Sequence, residues 1–158
     1  MKDLTKFYIN GQWVSPLVAN DLAVENPATE ETIATISLGA AADVDAAVAA
    51  AKAAFPSYSQ VSVEERIALM ENLLKIYMDG YDEMSMAIST EMGAPISFAS
   101  AAQADCGRGH INAAIEALKK FEFERQVGNT RIVKEPIGVC GFITPWNWPI
   151  NQISCKVA

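Results

Sequence analysis

The chain has three cysteines, a single histidine and no long apolar run. Three cysteines spread over positions 106, 140 and 155 do not make a disulfide framework, which needs an even set at tight spacing. A reducing, cytoplasmic setting is the default expectation. Cys106 and His110 stand four residues apart on one helix face, but two ligands do not hold a metal without others, so no metal site is expected. No stretch reaches the roughly 18 apolar residues of a membrane-crossing helix, so no membrane partner is expected. The opening Met1-Lys2-Asp3-Leu4-Thr5-Lys6 lacks the apolar core of a signal peptide. Basic clusters are missing too. The chain carries 12 Lys and Arg against 19 Asp and Glu, a net charge of −7. Its longest basic feature, Lys119-Lys120, sits among Glu116, Glu122 and Glu124. A nucleic-acid partner calls for a basic face, so none is expected.

What is present is globular composition. Hydrophobic residues make up 51% and charged residues 20%, which places the chain among ordered domains. Phe7-Tyr8-Ile9 and Gln12-Trp13-Val14 flank Asn10-Gly11, a hairpin signal. Leu22-Ala23-Val24 and Thr32 to Ile36 read as two further strands around the turn residues Asn26-Pro27-Ala28-Thr29. Helices follow. Val44, Ala47, Val48, Ala51 and Phe55 lie at helical spacing and predict a buried face. Ser62-Val63-Glu64-Glu65 is a capping box, and Ile67, Met70, Leu73, Leu74 and Tyr77 form an apolar stripe behind it. Another helix from about Asp82 carries Met84, Ile88 and Met92, and stops at Gly93 with Pro95 beyond. A long helix is predicted from Ser97 to about Lys120, weakened in its middle by Gly107 and Gly109. Gly128-Asn129 then turns the chain, and Thr130 to Lys134 alternates like a strand.

The segment Ile137 to Thr144 is apolar on both faces, as a buried strand of a parallel sheet would be. Pro145-Trp146-Asn147-Trp148 follows as a tight loop. Pro149 suits the first turn of a helix running to Ala158. Strand, loop and helix form half of a βαβ unit, which needs a second parallel strand. The helix carries no stop signal, so a truncated chain is expected. Ligands of open α/β sheets bind beyond the carboxyl ends of the strands, which is where Asn147 stands. Its amide N–H is suited to a developing oxyanion. The plainer reading makes Asn147 a helix cap and the tryptophans core; from the residues alone both stay open.

The run Glu135-Pro136-Ile137-Gly138-Val139-Cys140-Gly141-Phe142-Ile143-Thr144-Pro145-Trp146-Asn147-Trp148-Pro149 resembles a signature segment of the NAD(P)+-dependent aldehyde dehydrogenases. Four landmarks precede it in the family's order. They are Tyr8-Ile9-Asn10-Gly11-Gln12-Trp13, Glu25-Asn26-Pro27-Ala28-Thr29-Glu30-Glu31, Asp43-Val44-Asp45-Ala46-Ala47-Val48 and Glu91-Met92-Gly93-Ala94-Pro95. Ala94 departs from the lysine common in the last of these, which lies far from the chemistry. The resemblance implies an α/β fold: an N-terminal β-arm, several helices, then the first strand and helix of a Rossmann-like parallel sheet. It divides the chain into 1–120, the arm and helices of a cofactor-binding domain; 121–136, an oligomerisation strand segment; and 137–158, the start of an incomplete dinucleotide-binding unit.

It further implies that Asn147 helps hold the substrate oxygen and that Ile143, Thr144, Pro145 and Trp146 line the cleft for NAD or NADP. Lys156 falls where the family often has a lysine behind the active site. The family oxidises a small aldehyde to a carboxylic acid through a cysteine thioester, with a glutamate as general base. Its nucleophilic cysteine and its glutamate have no counterpart here. Cys140, in the predicted buried strand, and Cys155, in the following helix, lack the nucleophile's context. The 158 residues alone are therefore expected to be inactive. A non-catalytic structural or oligomerisation fragment, or part of a CoA-acylating relative, are the alternatives. The strand Thr130 to Lys134 matches a hairpin that in the family projects toward a neighbouring subunit, which implies a homodimer or homotetramer at full length. An edge strand covered within one chain is the plainer alternative.

Overall fold

The structure, a computed structural model, describes residues 2–158, Lys2 by its backbone alone. The N-terminal arm holds five short strands: β1 (Lys2–Leu4), β2 (Phe7–Ile9), β3 (Gln12–Val14), β4 (Asp21–Glu25) and β5 (Thr32–Ser37). β2 and β3 form the hairpin that Asn10-Gly11 predicts. Asn10 at φ 51° and Gly11 at φ 74° both take the left-handed backbone that a tight hairpin turn of this twist demands. Across the hairpin Tyr8 pairs with Trp13, their rings 5.2 Å apart, a cross-strand aromatic contact that fixes the register. β4 and β5 are antiparallel, and β1 lies parallel to β5 on its other side. Between β4 and β5 the Asn26 side chain accepts the Ala28 amide at 2.9 Å, closing the turn that Asn26-Pro27-Ala28-Thr29 predicts.

Helices α1 (Ala41–Tyr58), α2 (Val63–Asp79) and α3 (Tyr81–Met92) follow. The carboxylate of buried Asp43 accepts the Ala40 and Leu17 amides, each at 2.9 Å. One residue thus caps α1 and ties it to the arm. These two bonds hold its pKa below the ordinary aspartate value. The predicted capping box closes α2: Ser62 Oγ accepts the Glu65 amide at 3.1 Å, and the Glu65 carboxylate accepts the Ser62 amide at 3.0 Å. α3 ends at Gly93, φ 77°, where an added Cβ would stand 2.8 Å from Pro27 Cγ. A glycine is required there both for its backbone and for its lack of bulk.

The predicted long helix exists but is interrupted elsewhere. A three-residue α4 (Ile96–Phe98) opens into a π-helical stretch, Ala99–Ala104, which passes without a break into α5 (Asp105–Leu118). Gly107 and Gly109 lie within regular helix; the widening falls before them. The wider turn leaves carbonyls short of amide partners, and two tyrosines take them: Tyr81 Oη donates to Ser100 O and Tyr77 Oη to Ala104 O, each at 2.6 Å. The core forms on this rod. Ile88, Ala94, Ala99 and Ala104 are buried together, with Tyr81, Met84, Met92 and Ile150 packed around them.

The hairpin β6 (Glu124–Val127) and β7 (Thr130–Val133) comes next, largely exposed on both faces. The chain then runs without regular structure to α6 (Pro149–Val157). Here the sequence expectation is corrected. Ile137 to Thr144 is coil and exposed, and Cys140 is exposed with it. A parallel strand is stable only between neighbours that take up its N–H and C=O groups, and no described strand lies beside this segment. The predicted buried face of α1 is corrected as well. Val44 and Val48 are exposed, and Val44 lines an open cleft between α1 and β2 instead of a packed interface. Among the described residues no helix is long and apolar enough to cross a membrane, and no group of three His, Cys, Asp or Glu side chains is placed to hold a metal ion.

Candidate functional site

Asn147 stands immediately before α6, in the bend formed by Trp146, Asn147 and Trp148. Trp148 occupies the N-cap position, and no side chain caps the first turn. Asn147 is therefore not spent as a helix cap. Its amide makes no hydrogen bond among the described residues, and it is exposed. Ile143 is 97% and Trp146 79% exposed, with Thr144 and Pro145 open beside them. The backbone groups of Ile143 to Asn147 make no backbone hydrogen bonds among the described residues. The five residues singled out from the sequence thus form one continuous open stretch, with apolar side chains at Ile143, Pro145 and Trp146, polar ones at Thr144 and Asn147, and backbone groups open to solvent.

Behind this loop the helical rod provides a fixed floor. Trp148 lies edge-on to Phe98 with ring centroids 5.7 Å apart. Ile150 seats in a notch at Gly107, where an added Cβ would meet its Cγ1 at 3.0 Å and the Tyr77 hydroxyl at 2.5 Å. His110 Nε2 stands 2.5 Å from Asn151 Oδ1, both half-buried. The sequence reading missed all three contacts. His110, four residues from Cys106 on the same helix, takes its partner from 41 residues away, a separation at which no local spacing carries a signal. Gly107 carried a signal of another kind: a glycine inside a predicted helix marks a close approach of another element, and it is buried in α5.

Burial pushes the Tyr77 phenol up to about 12, with Tyr81, Asp105 and Cys106 adding to the rise. The Arg108 guanidinium, 2.7 Å away, holds Asp105 below the ordinary carboxylate range. Lys156 folds back on its own helix, donating to the Gln152 carbonyl at 3.1 Å and its side-chain oxygen at 2.8 Å. Cys155 is exposed on α6, its Sγ donating to Gln152 O at 3.6 Å and accepting from Lys156 Nζ at 3.9 Å, and among the described residues no histidine or carboxylate is bonded to it. A cleft of about 560 Å³ lies away from the loop, between Phe55, Arg66, Phe121 and Lys134.

Comparison with known proteins places this arrangement. The model of the aldehyde dehydrogenase family matches residues 13–158. A 3-succinoylsemialdehyde-pyridine dehydrogenase from a Pseudomonas species is 48% identical over the whole of this chain, which covers 33% of that protein. An aldehyde dehydrogenase from Bartonella henselae superposes with a TM-score of 0.94 at 44% identity, over 98% of this chain and 33% of its own. A mutant of aldehyde dehydrogenase C from Pseudomonas syringae, complexed with NAD+ and octanal, gives a TM-score of 0.93 at 47% identity, over 95% and 31%. The chain thus spans about a third of the length of the curated relatives it matches. Its arm, its rod and its α6 are those of a mixed α/β fold shared with these enzymes, and the chain belongs to the aldehyde dehydrogenase family.

Proposed function

We propose that these residues serve as the front third of an oxidoreductase that converts an aldehyde to a carboxylic acid with NAD or NADP. In this reading Asn147 donates its amide N–H to the oxygen of the aldehyde as charge builds there. The observation that supports it is an asparagine amide free of partners, on a short bend whose next residue is held against Phe98. A donor that is fixed before the reaction needs no reorganisation when the oxyanion forms.

The surface from Ile143 to Trp146 suits a dinucleotide. Its apolar side chains offer a wall for flat rings, and its unbonded backbone groups offer polar contacts. Bound there, the dinucleotide would accept the hydride. The nucleophilic thiol and the general base would come from outside these residues. Cys106, Cys140 and Cys155 are free thiols, but none is hydrogen-bonded to a histidine or a carboxylate among the described residues. Residues 1–158 by themselves are expected to show no aldehyde turnover. The exposed β6–β7 hairpin would pair with a second copy in a homodimer or homotetramer, and three free thiols fit a cytoplasmic setting.

The test is Asn147→Ala in a full-length polypeptide carrying residues 1–158 as its front third. Loss of one oxyanion donor is expected to lower kcat about 10²–10³-fold with little change in KM. An unchanged kcat would remove Asn147 from the site.

A further inference from the structure

α6 has little of its own to hold it in place. No side chain caps its first turn, and the residues before it, 137–147, are coil. Its pose comes from the rod beneath, through Trp148 on Phe98, Ile150 in the Gly107 notch, and Asn151 on His110. The first two contacts are apolar. They set how closely α6 approaches α5, but packing contacts of this kind fix orientation less sharply than a hydrogen bond does. The third is a hydrogen bond and is directional. It falls on Asn151, in the first turn of α6, whose N-cap residue Trp148 directly follows Asn147.

We infer that His110 is a positioning residue for Asn147. Its ring N–H clamps Asn151 and so fixes the roll of the first turn of α6, which sets where the backbone of Asn147 stands ahead of that turn. The inference rests on the reading of Asn147 as the oxyanion donor. With Asn151 Oδ1 facing the ring, Nε2 is the donor atom. That nitrogen carries a proton both in the neutral tautomer the contact selects and in the imidazolium form, so the clamp needs no charge on the histidine. Tyr77 secures the same floor from the other side: its hydroxyl bonds Ala104 O and its ring closes over Gly107, one helix turn before His110. A loose α6 would matter because donors act only when held to within about 0.5 Å and 10–20°. A 1 Å misplacement costs on the order of 10²-fold in rate.

Two substitutions separate the clamp from mere filling of space. His110→Leu keeps bulk and removes the donor; His110→Gln keeps a donor of similar reach. In the full-length polypeptide, His110→Leu is expected to lower kcat about 10–10²-fold while KM moves little, and His110→Gln to restore most of the rate. In an Asn147→Ala background, His110→Leu should cost nothing further, because the group it positions is gone. Asn151→Ala, which removes the other half of the pair, should reproduce His110→Leu and serves in its place if that variant does not fold. If Asn147→Ala itself leaves kcat unchanged, the reading of Asn147 falls and the clamp with it. If Asn147→Ala lowers kcat but His110→Leu and Asn151→Ala do not, or if the losses multiply in the double variants, Asn147 stands and His110 is not its positioning residue.

Discussion

The Tyr77 hydroxyl of α2 donates to the Ala104 carbonyl at 2.6 Å, closing the end of the π-helical stretch from outside the helix. Tyr77→Phe leaves the ring in place and orphans a buried carbonyl. The cost should be about 1–3 kcal/mol, the penalty of an unsatisfied buried polar group. Urea unfolding should show a lower midpoint at an unchanged slope.

The same tyrosine predicts a pH dependence. Burial raises its pKa to about 12, above the ordinary value of 10.0. The folded state therefore holds this proton more tightly than the unfolded state. The associated stability is fully present below about pH 10 and is lost as pH rises toward about 12. Other tyrosines and the lysines titrate there as well, so the readout is the difference between wild type and Tyr77→Phe. That difference should shrink steadily above about pH 10. A constant difference would mean that the phenol is not desolvated.

Gly107→Ala tests the notch beneath α6. The new Cβ would stand 2.6 Å from Tyr77 Cζ and 3.0 Å from Ile150 Cγ1. The obstacles are an anchored ring and a branched aliphatic chain, not the loose end of a flexible side chain. The gain in helix propensity, about 1 kcal/mol, should be outweighed by an overpacking cost of about 1–3 kcal/mol. The expected net result is a fall in Tm of up to a few degrees. In a Tyr77→Ala background the penalty should diminish; an equal penalty there would show that Tyr77 does not fill the notch.

These contacts mark the limit of what was legible in the sequence. Local chemistry was readable wherever a few neighbouring residues decide the outcome. Asn10-Gly11 set a hairpin, Ser62 and Glu65 started α2, and Gly93 ended α3 with φ 77°. Thr130 to Lys134 was readable as a strand but its partner β6 was not, since Glu124 to Val127 has no clean alternation. β1 was missed for a related reason: it pairs with β5, more than thirty positions away. The π-helical stretch left no trace in Ala99–Ala104, because it depends on Tyr77 and Tyr81 arriving from other helices. Of the candidate site, Asn147 and its neighbours were named by pattern, whereas Phe98, Gly107 and His110 matter only through α6. Ile137 to Thr144 shows the converse. Its composition suits a buried strand, but a strand needs partners that composition does not supply.

Asp43 caps α1 through the Ala40 amide and links it to the arm through the Leu17 amide. An asparagine has one carbonyl oxygen where the carboxylate has two. Asp43→Asn should therefore keep one of the bonds to Leu17 and Ala40 and lose the other. Because the folded-state pKa is lowered, the carboxylate's contribution is present above the unfolded value of about 3.9 and is lost as pH falls through the folded value. Wild type should be the more stable form near neutrality, with the gap closing in acid below about pH 4. A gap that persists there in thermal melts would trace the effect to shape and not to charge.

The open run from Ile137 to Trp146 makes a prediction for the chain in solution. Ile137 is 94% exposed, and Phe142, Ile143 and Trp146 continue the apolar surface. Backbone outside any strand, whose groups make no backbone hydrogen bonds among the described residues, next to such side chains is open to pairing with another strand. Residues 1–158 on their own should therefore bind a hydrophobic dye and self-associate as concentration rises, the behaviour of large exposed apolar patches. Ile137→Lys combined with Ile143→Lys adds two charges along the run. It should restore a monomer in sedimentation velocity without lowering Tm, since neither side chain packs on the core. Trp146 is 79% exposed against 68% for Trp13, so Trp146→Phe should remove the indole most accessible to acrylamide. A monodisperse wild-type chain at high concentration, with no dye binding, would mean that the segment is covered.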